Sequence, residues 1–222
     1  LSKEKDSFIK SNISKDILTI KRIYETMGFN RMEIDTKVED LDDNTVNLYF
    51  FINKGAKIKI SKIKFIGDKK IRDRRLRDVI VSEENKFWKF ISRNTVLNKN
   101  NIELDKRLIT NYYKAAGYYD VQVLSSSAIL NNNDNSILTY NINAGDRYVV
   151  NKISTNINDA LDKKDFVGLE KNFKKLIGNY YSPFKIKILL DSLDKLIAYN
   201  DLQFIEHSVN EIVGDKQIEI IL

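Results

Sequence analysis

The sequence of 222 residues has no cysteine, one proline (Pro183) and one histidine (His207). Without cysteine the chain has no disulfides and no thiol chemistry, and a single histidine cannot build a structural zinc site. No Walker loop, G-x-S-x-G motif or H-E-x-x-H motif occurs, and none of Asp16, Asp105 and Asp191 has a histidine or a second carboxylate at a spacing that defines acid–base catalysis. We therefore expect a protein that is not an enzyme and that holds no metal and no cofactor.

The composition is that of a globular protein with an excess of basic residues. Hydrophobic residues make up 42% of the chain, so a disordered protein is excluded. No run reaches the roughly 20 apolar residues that a membrane-spanning helix needs. The 37 Lys and Arg residues outnumber the 31 Asp and Glu residues, which gives a formal charge of +6. The length suits one large domain or two to three small ones.

A pattern of aspartate, tyrosine and a second aromatic residue occurs three times. Each aspartate is followed eight residues later by a tyrosine and five residues after that by an aromatic residue. The copies are Asp16, Tyr24 and Phe29; Asp105, Tyr113 and Tyr118; and Asp191, Tyr199 and Phe204. A glycine precedes the aromatic residue in the first two copies, as Gly28 and Gly117. A period of about 75 to 90 residues predicts a string of small domains.

Hydrophobic periodicity predicts similar elements in each repeat. Helical spacing in ISKDILTIKRIYETMG, NIELDKRLITNYYKAAG and PFKIKILLDSLDKLIAYN predicts an amphipathic helix, and alternating residues after the first two predict hairpins. The second and third repeats begin with a strand (KISKIKFIG, RYVVNKIST) and another helix (IRDRRLRDVIVSEE, KKDFVGLEKNFKKLIG). The order strand, helix, helix, strand, strand predicts an α+β fold in which two helices cover one face of a three-stranded mixed sheet.

The repeats predict three domains. Residues 1–56 would form a partial domain with one helix and a hairpin, residues 57–145 a complete domain, and residues 146–222 a third domain whose last strand is cut at the C-terminus. His207 aligns with Val121 of the middle repeat, so we expect it on the core face of a strand.

This organisation resembles tandem POTRA domains of the Omp85 family of outer-membrane proteins. One signature is carried by Tyr113, Gly117, Tyr118, Asp120 and Val123. The opening motif of the domain is carried by Ile60, Ile63, Phe65, Gly67, Ile71, Leu76 and Ile80, with Asp68 where the motif usually has asparagine. The resemblance covers the whole chain and is weakest in the third repeat, which lacks the glycine and tyrosine pair.

The resemblance implies a periplasmic portion of an outer-membrane protein, acting as a scaffold in the assembly of membrane β-barrels. Its implied partners are unfolded outer-membrane protein segments and accessory lipoproteins. One alternative is the POTRA region of a related transporter, such as a two-partner-secretion protein. The other is a basic nucleic-acid-binding array, which is disfavoured because no aromatic platform is interleaved with the cations.

The strand after the long helix of the middle repeat is a candidate client-binding edge. If the last strand of the repeat is central, this earlier strand has an unpaired side to which a guest strand can add. The candidate residues are Tyr118, Tyr119, Asp120, Val121, Gln122 and Val123. The alternative is an ordinary edge that Asp120 protects.

Charge is concentrated in the middle repeat, where residues 57–145 contain 17 basic and 9 acidic residues. A basic patch for an anionic membrane surface or an acidic partner is one interpretation, and solvated strand and helix faces are the other. The candidate patch consists of Lys62, Lys64, Lys69, Lys70, Arg72, Arg74, Arg75 and Arg77.

Two aromatic groups are further candidates for interaction. Tyr49 and Phe51 alternate with the apolar residues of their strand, so they should lie on the uncovered sheet face and contact a partner or a neighbouring domain. Phe87, Trp88 and Phe90 lie between the two helices of the middle repeat. They would either contact clients or the membrane interface, or close the core of their own domain.

Overall fold

The computed structural model describes residues 7–41, 45–88, 92–131, 134–156, 167–199 and 207–222. It contains five α-helices, one short 3₁₀ helix and eight strands within these residues. In chain order they are α1 (Lys10–Thr26), β1 (Glu33–Asp40), β2 (Val46–Asn53), β3 (Lys59–Asp68), α2 (Asp73–Val79), the 3₁₀ helix (Arg93–Thr95), α3 (Lys99–Ala115), β4 (Gln122–Leu130), β5 (Asn135–Asn143), β6 (Val149–Ser154), α4 (Val167–Leu176), α5 (Pro183–Tyr199), β7 (Asn210–Val213) and β8 (Gln217–Ile221).

The strands form three sheets. Strands β1 and β2 pair antiparallel in a two-stranded sheet, and the other sheets have the orders β3-β5-β4 and β6-β8-β7. In the last sheet β6 runs parallel to β8, whereas β7 runs antiparallel to it. The final strand of each three-stranded sheet is therefore central, which is the condition on which the candidate edge depends. The α+β class with small mixed sheets is confirmed, whereas the division into residues 1–56, 57–145 and 146–222 stays a prediction.

Close contacts group the chain into two compact units. The first comprises Leu1–Phe65, Asp73–Arg107 and Ser125–Tyr140. Its core contains Ile60, Ile63 and Leu76, which are almost fully buried, and the Phe65 and Tyr140 rings, which stack with centroids 5.8 Å apart. Burial of each such side chain stabilises the fold by roughly 1.5–3 kcal/mol relative to exposure.

The second unit comprises Ile66–Arg72, Leu108–Leu124 and Asn141–Leu222. Its principal core cluster joins β6, β8 and the inward faces of α4 and α5. The members include Val150, Ile153, Leu169, Phe173, Tyr181, Ile186, Leu189, Leu193, Ile218 and Ile220. Burial in β6 steps by three residues, from Val150 to Ile153, because the pairing with β8 shifts between Val150 and Lys152. The same step separates the buried residues Ile60 and Ile63 in β3.

The ends of the helices follow from specific hydrogen bonds. Gly28 and Gly117 have φ values of +89° and +99°, which confirms the left-handed residue predicted after α3. Helix α2 ends at Val79, although its apolar pattern predicts a longer helix. It stops because the N–H groups of Val81 and Ser82 donate to the Asp105 carboxylate.

His207 precedes β7, and its Nε2 lies 2.6 Å from Asp194 Oδ1, so the prediction of a core position on a strand is wrong. No helix in the described part of the chain combines the length and the apolar character that crossing a membrane requires.

Candidate protein-interaction surfaces

A buried carboxylate in the middle repeat connects several elements through hydrogen bonds. Asp105 of α3 is fully buried and accepts hydrogen bonds from Val81 N at 2.6 Å, Ser82 N at 3.2 Å and the Tyr140 hydroxyl at 2.6 Å. Burial and the neighbouring Asp105 carboxylate raise the pKa of Tyr140, so this hydroxyl stays protonated as a donor. The aspartate of the repeated pattern therefore joins α3 to the α2 connection and to the central strand.

Strand β4 lies at one side of its sheet and has a long, uncharged sequence. Its nine residues, Gln122–Leu130, read QVLSSSAIL and include neither a charged residue nor a proline. Leu124 and Ile129 are 55% and 65% exposed, so apolar side chains flank the small residues in the middle of the strand. Natural edge strands are usually protected by charge, proline or shortness. This strand has none of these protections.

In the structure, the edge strand lies further along the chain than the six predicted residues. Only Gln122 and Val123 of the six lie in β4, because the strand begins at Gln122. Tyr118 forms a bridge with Arg147, Val121 is buried, the Tyr119 hydroxyl donates to Glu211 and Asp120 accepts a hydrogen bond from Tyr148. Residues 118–121 are therefore used within the fold. The edge extends instead to Leu130, through residues that the sequence interpretation missed although QVLSSSAIL continues as far as the Asn-rich turn.

The chain itself covers the opposite edges of the two three-stranded sheets. Beside β3, Leu97 N donates to Ile58 O at 2.8 Å and Asn85 N donates to Ile60 O at 2.6 Å. Beside β6, Val150 N donates to Asn179 O at 3.0 Å and Gly178 N donates to Val150 O at 2.8 Å. In each sheet the beginning of the first strand is therefore paired with the segment that precedes the second helix. The strand that follows the second helix, β4 or β7, lies at the other side of its sheet.

The corresponding edge strand of the third repeat is short and carries a carboxylate. Strand β7 has four residues, Asn210–Val213, and its Glu211 accepts hydrogen bonds from Tyr119 at 3.0 Å and Tyr181 at 2.6 Å. Burial, and then the hydrogen bond to Glu211, raise the pKa of both tyrosines. We call Tyr119, Tyr181 and Glu211 the tyrosine clasp. It makes β7 a poor site for a guest strand.

The glycines of the repeated pattern lie at close contacts between consecutive repeats. A Cβ on Gly28 would clash with Val96, and one on Gly117 would lie 2.9 Å from Tyr180 Cβ. Val96 shortly precedes α3 and Tyr180 shortly precedes α5, so the two contacts occupy the same place in the repeat. The glycine is thus required both by its positive φ and by the approach of the next repeat.

The predicted basic patch is divided between two faces of β3. Ile63 and Phe65 are buried, so Lys62 and Lys64 point from the other face of the strand. Arg74 and Arg77 of α2 instead line a groove with Ile63 and with the acidic residues Asp78, Glu83 and Glu84. Arg77 pairs with Asp73 and Glu84, and Lys70 pairs with Asp68. Lys69 is half-buried, whereas Arg72 and Arg75 are exposed.

The predicted aromatic groups are exposed where the structure describes them. Tyr49 and Phe51 stack with centroids 6.5 Å apart on β2, and the Tyr49 hydroxyl donates to Glu39 at 3.1 Å. Phe87 is 88% exposed and Trp88 58% exposed, so neither closes the core of its domain. Phe90 lies outside the described residues. Among the described residues, no group of three His, Cys, Asp or Glu side chains is placed to hold a metal ion.

Comparison with known proteins identifies the repeat. The family model POTRA, described as "Surface antigen variable number repeat", matches residues 1–55 and 58–145. The chain is 24% identical over 219 residues to the outer membrane protein assembly factor BamA of Neisseria meningitidis, covering 97% of this chain and 27% of that protein. It is 25% identical over 138 residues to BamA of Neorickettsia risticii, covering 62% of this chain and 19% of that protein. The chain thus spans about a quarter or less of these relatives.

Two solved structures share the fold. POTRA3-5 of Haemophilus influenzae BamA superposes with a TM-score of 0.54 at 18% identity, covering 97% of this chain and 81% of that chain. BamA from Haemophilus ducreyi lacking POTRA domains 1-3 gives a TM-score of 0.52 at 20% identity, covering 73% of this chain and 28% of that chain. Together with the family match, the repeat and the strand order lead to one conclusion: the chain belongs to the POTRA family, as a periplasmic POTRA region of the BamA/Omp85 type of outer-membrane protein.

Proposed function

We propose that this region is a scaffold in the assembly of outer-membrane β-barrel proteins and that it holds unfolded clients by adding their strands to β4. The observation that carries the proposal is the nine-residue edge without charge or proline. The matched relatives are named outer membrane protein assembly factors, which supports the class of client.

Strand addition suits a scaffold that must accept many clients. The guest is held by main-chain hydrogen bonds, which do not depend on its side chains, so affinity per site is modest and tolerance is high. A transmembrane β-strand has about 9–11 residues, and β4 offers nine. The exposed Leu124 and Ile129 give the alternating apolar residues of such a strand a surface to contact.

A pair of proline substitutions at neighbouring positions tests the proposal. Along a strand the N–H groups of consecutive residues point to opposite sides, so one of Ser126 and Ser127 donates toward β5 and the other toward the guest. Ser126→Pro and Ser127→Pro are therefore each other's control. We expect one variant to lose stability, and the other to stay folded and lose roughly tenfold or more in affinity for a client-strand peptide, measured by fluorescence anisotropy.

The competing outcome is equally specific. If both variants fold and both bind the peptide as tightly as the parent chain, β4 does not receive the guest strand. Ser127→Lys supplies a second check, because an exposed lysine on the edge should weaken binding of the guest without changing the core.

We further propose that accessory lipoproteins dock on the stacked pair Tyr49 and Phe51. The pair is exposed on β2, and the Tyr49 hydroxyl is held by Glu39, so the aromatic surface is preorganised. A photoreactive residue at position 51 should give adducts with fatty-acylated proteins, whereas one at Thr19 on the exposed side of α1 should not. Equal adducts from both positions would contradict this docking surface.

An anionic membrane surface is the third partner that we propose, on the basis of the formal charge of +6. Co-sedimentation with phosphatidylcholine vesicles, with and without phosphatidylglycerol, tests it. The chain should sediment with the anionic vesicles and stay in solution with the neutral ones. Failure to bind either kind would remove the membrane from the list of partners.

A further inference from the structure

Helices α4 and α5, on either side of the turn that joins them, carry exposed basic residues that the charge count of the third repeat conceals. Residues 171–190 contain no aspartate or glutamate, although residues 146–222 together have 11 basic and 12 acidic residues. Every lysine in this stretch is exposed, and we call them the turn lysines: Lys171, Lys174, Lys175, Lys185 and Lys187. The local charge is therefore +5 within a repeat whose total charge is −1.

The turn lysines have no counterions in the described part of the chain. Three carboxylates of the third repeat pair with other cations: Glu219 with Lys152, Asp146 with Lys216 and Asp194 with His207. Glu211 belongs to the tyrosine clasp. The absence of ion pairs leaves the positive potential of this surface available to an external anion.

Apolar side chains lie between these lysines on the outer side of α5. Ile186, Leu189 and Leu193 are buried and define the inner stripe of the helix. Phe184 and Ile188, one turn apart, lie on the opposite side and are 67% and 49% exposed. Lys185 and Lys187 flank this apolar pair, which produces a helix with an outward face that is both hydrophobic and basic.

We propose that this surface, the turn lysines with Phe184 and Ile188, contacts a phospholipid bilayer that contains anionic headgroups. Lysines extend their ammonium groups to the phosphates while their methylene stems and the neighbouring apolar side chains enter the interface. The inference rests on the membrane partner proposed above and assigns it to α4 and α5. Apolar side chains flanked by lysines that have no ion pair match the chemistry of a bilayer surface, where charged headgroups lie above an apolar interior.

The cations of the middle repeat fit a bilayer less well. Arg77 pairs with Asp73 and Glu84, and Lys62 and Lys64 point from the face of β3 opposite to Ile63. Glu84 also pairs with Lys86 beside Trp88. At Lys70, Arg77 and Lys86 the positive charge lies next to carboxylates, so a headgroup phosphate there would meet repulsion as well as attraction.

Vesicle binding by charge variants of the full 222-residue chain tests the assignment. The variant K174Q/K175Q/K185Q/K187Q should lower the partition coefficient onto phosphatidylglycerol-containing vesicles by about six-hundredfold, since each of the four lysines contributes about fivefold near such a surface. The control K64Q/R72Q/R74Q/R75Q removes the same charge from the middle repeat. It should lower partitioning by no more than about threefold. The substitution F184S should lower it roughly tenfold, because the ring no longer enters the interface.

The outcomes separate the inference from the proposals on which it rests. If the parent chain binds anionic vesicles and the two charge variants weaken binding equally, the assignment to α4 and α5 is overturned while the membrane partner stands. If F184S has no effect and a polyglutamate peptide competes fully with the vesicles, the surface recognises an acidic protein instead. Unchanged binding of the client-strand peptide by K174Q/K175Q/K185Q/K187Q is expected, because β4 lies in another repeat.

Discussion

The sheets β3-β5-β4 and β6-β8-β7 share a strand order but differ at their free sides. Strand β4 has nine residues without charge, whereas β7 has four and carries Glu211, which two tyrosine hydroxyls hold. In both sheets another segment of the chain pairs with the beginning of the strand at the other edge. The POTRA topology thus fixes where a free edge lies. The length and side chains of the strand at that place determine whether a guest can use it.

The largest expected difference between the middle and third repeats is the loss of stability when their equivalent aspartates are replaced. Asp105 is fully buried and accepts three hydrogen bonds, whereas Asp191 is exposed on α5. We expect Asp105→Ala to destabilise the middle repeat by about 4 kcal/mol, because it leaves buried donors without an acceptor. Asp191→Ala should change stability by less than about 0.5 kcal/mol. Urea unfolding followed by hydrogen exchange measures both, and similar losses would contradict the bracing role of Asp105.

A smaller difference in stability is expected between alanine substitutions at two glycines with positive φ. Gly67 of β3 has φ +90°, and a Cβ there would clash with the carbonyl oxygen of Ile142 in the central strand. Gly178, before α5, has φ +83° and open space around it. Gly67→Ala should cost about 3 kcal/mol and Gly178→Ala about 1 kcal/mol, since only the first adds a backbone clash to the strain of a left-handed residue. The thermal unfolding midpoints would rank them, and equal costs would show that the sheet adjusts freely.

Disrupting the tyrosine clasp should cause the smallest loss of stability, and this loss should depend on pH. Tyr181→Phe removes the hydrogen bond to Glu211 and should cost about 1 kcal/mol at neutral pH. Burial and Glu211 raise the pKa of Tyr181 above its ordinary value of 10.0. The folded chain therefore keeps this proton when the unfolded chain loses it, so stability is complete below pH 10 and falls as the pH rises beyond it.

The phenylalanine variant provides the control for the pH dependence. It has no hydroxyl to ionise, so its stability should fall less steeply than that of the parent chain in the same alkaline range. Parallel alkaline unfolding curves for the two proteins would contradict the coupling of Tyr181 to Glu211.

The architecture was predictable because its determinants are local. Helical spacing located α1, α3 and α5, and alternation located β2 and β5, since each pattern reports which side chains face a core. Gly117 was predicted to end α3 because glycine, which has no side chain, adopts the left-handed backbone conformation without strain.

What the sequence interpretation missed depends on contacts between distant residues. Asp105 ends α2 through Val81 and Ser82, which are more than twenty residues away. The Tyr119 hydroxyl donates to Glu211, which is 92 residues away, and β4 starts later than the alternation of its sequence indicates. The turn lysines were overlooked for a different reason, since a net charge per repeat conceals how charge is distributed over a surface.

Hydrogen exchange with a client-strand peptide tests the central claim most directly. The full chain would be exchanged with and without a peptide that has the alternating sequence of an outer-membrane β-strand. Strand addition predicts slower exchange at about every second amide of Gln122–Leu130 and no change in Asn210–Val213. Protection of β7, or binding of the peptide with no protection in β4, would contradict it.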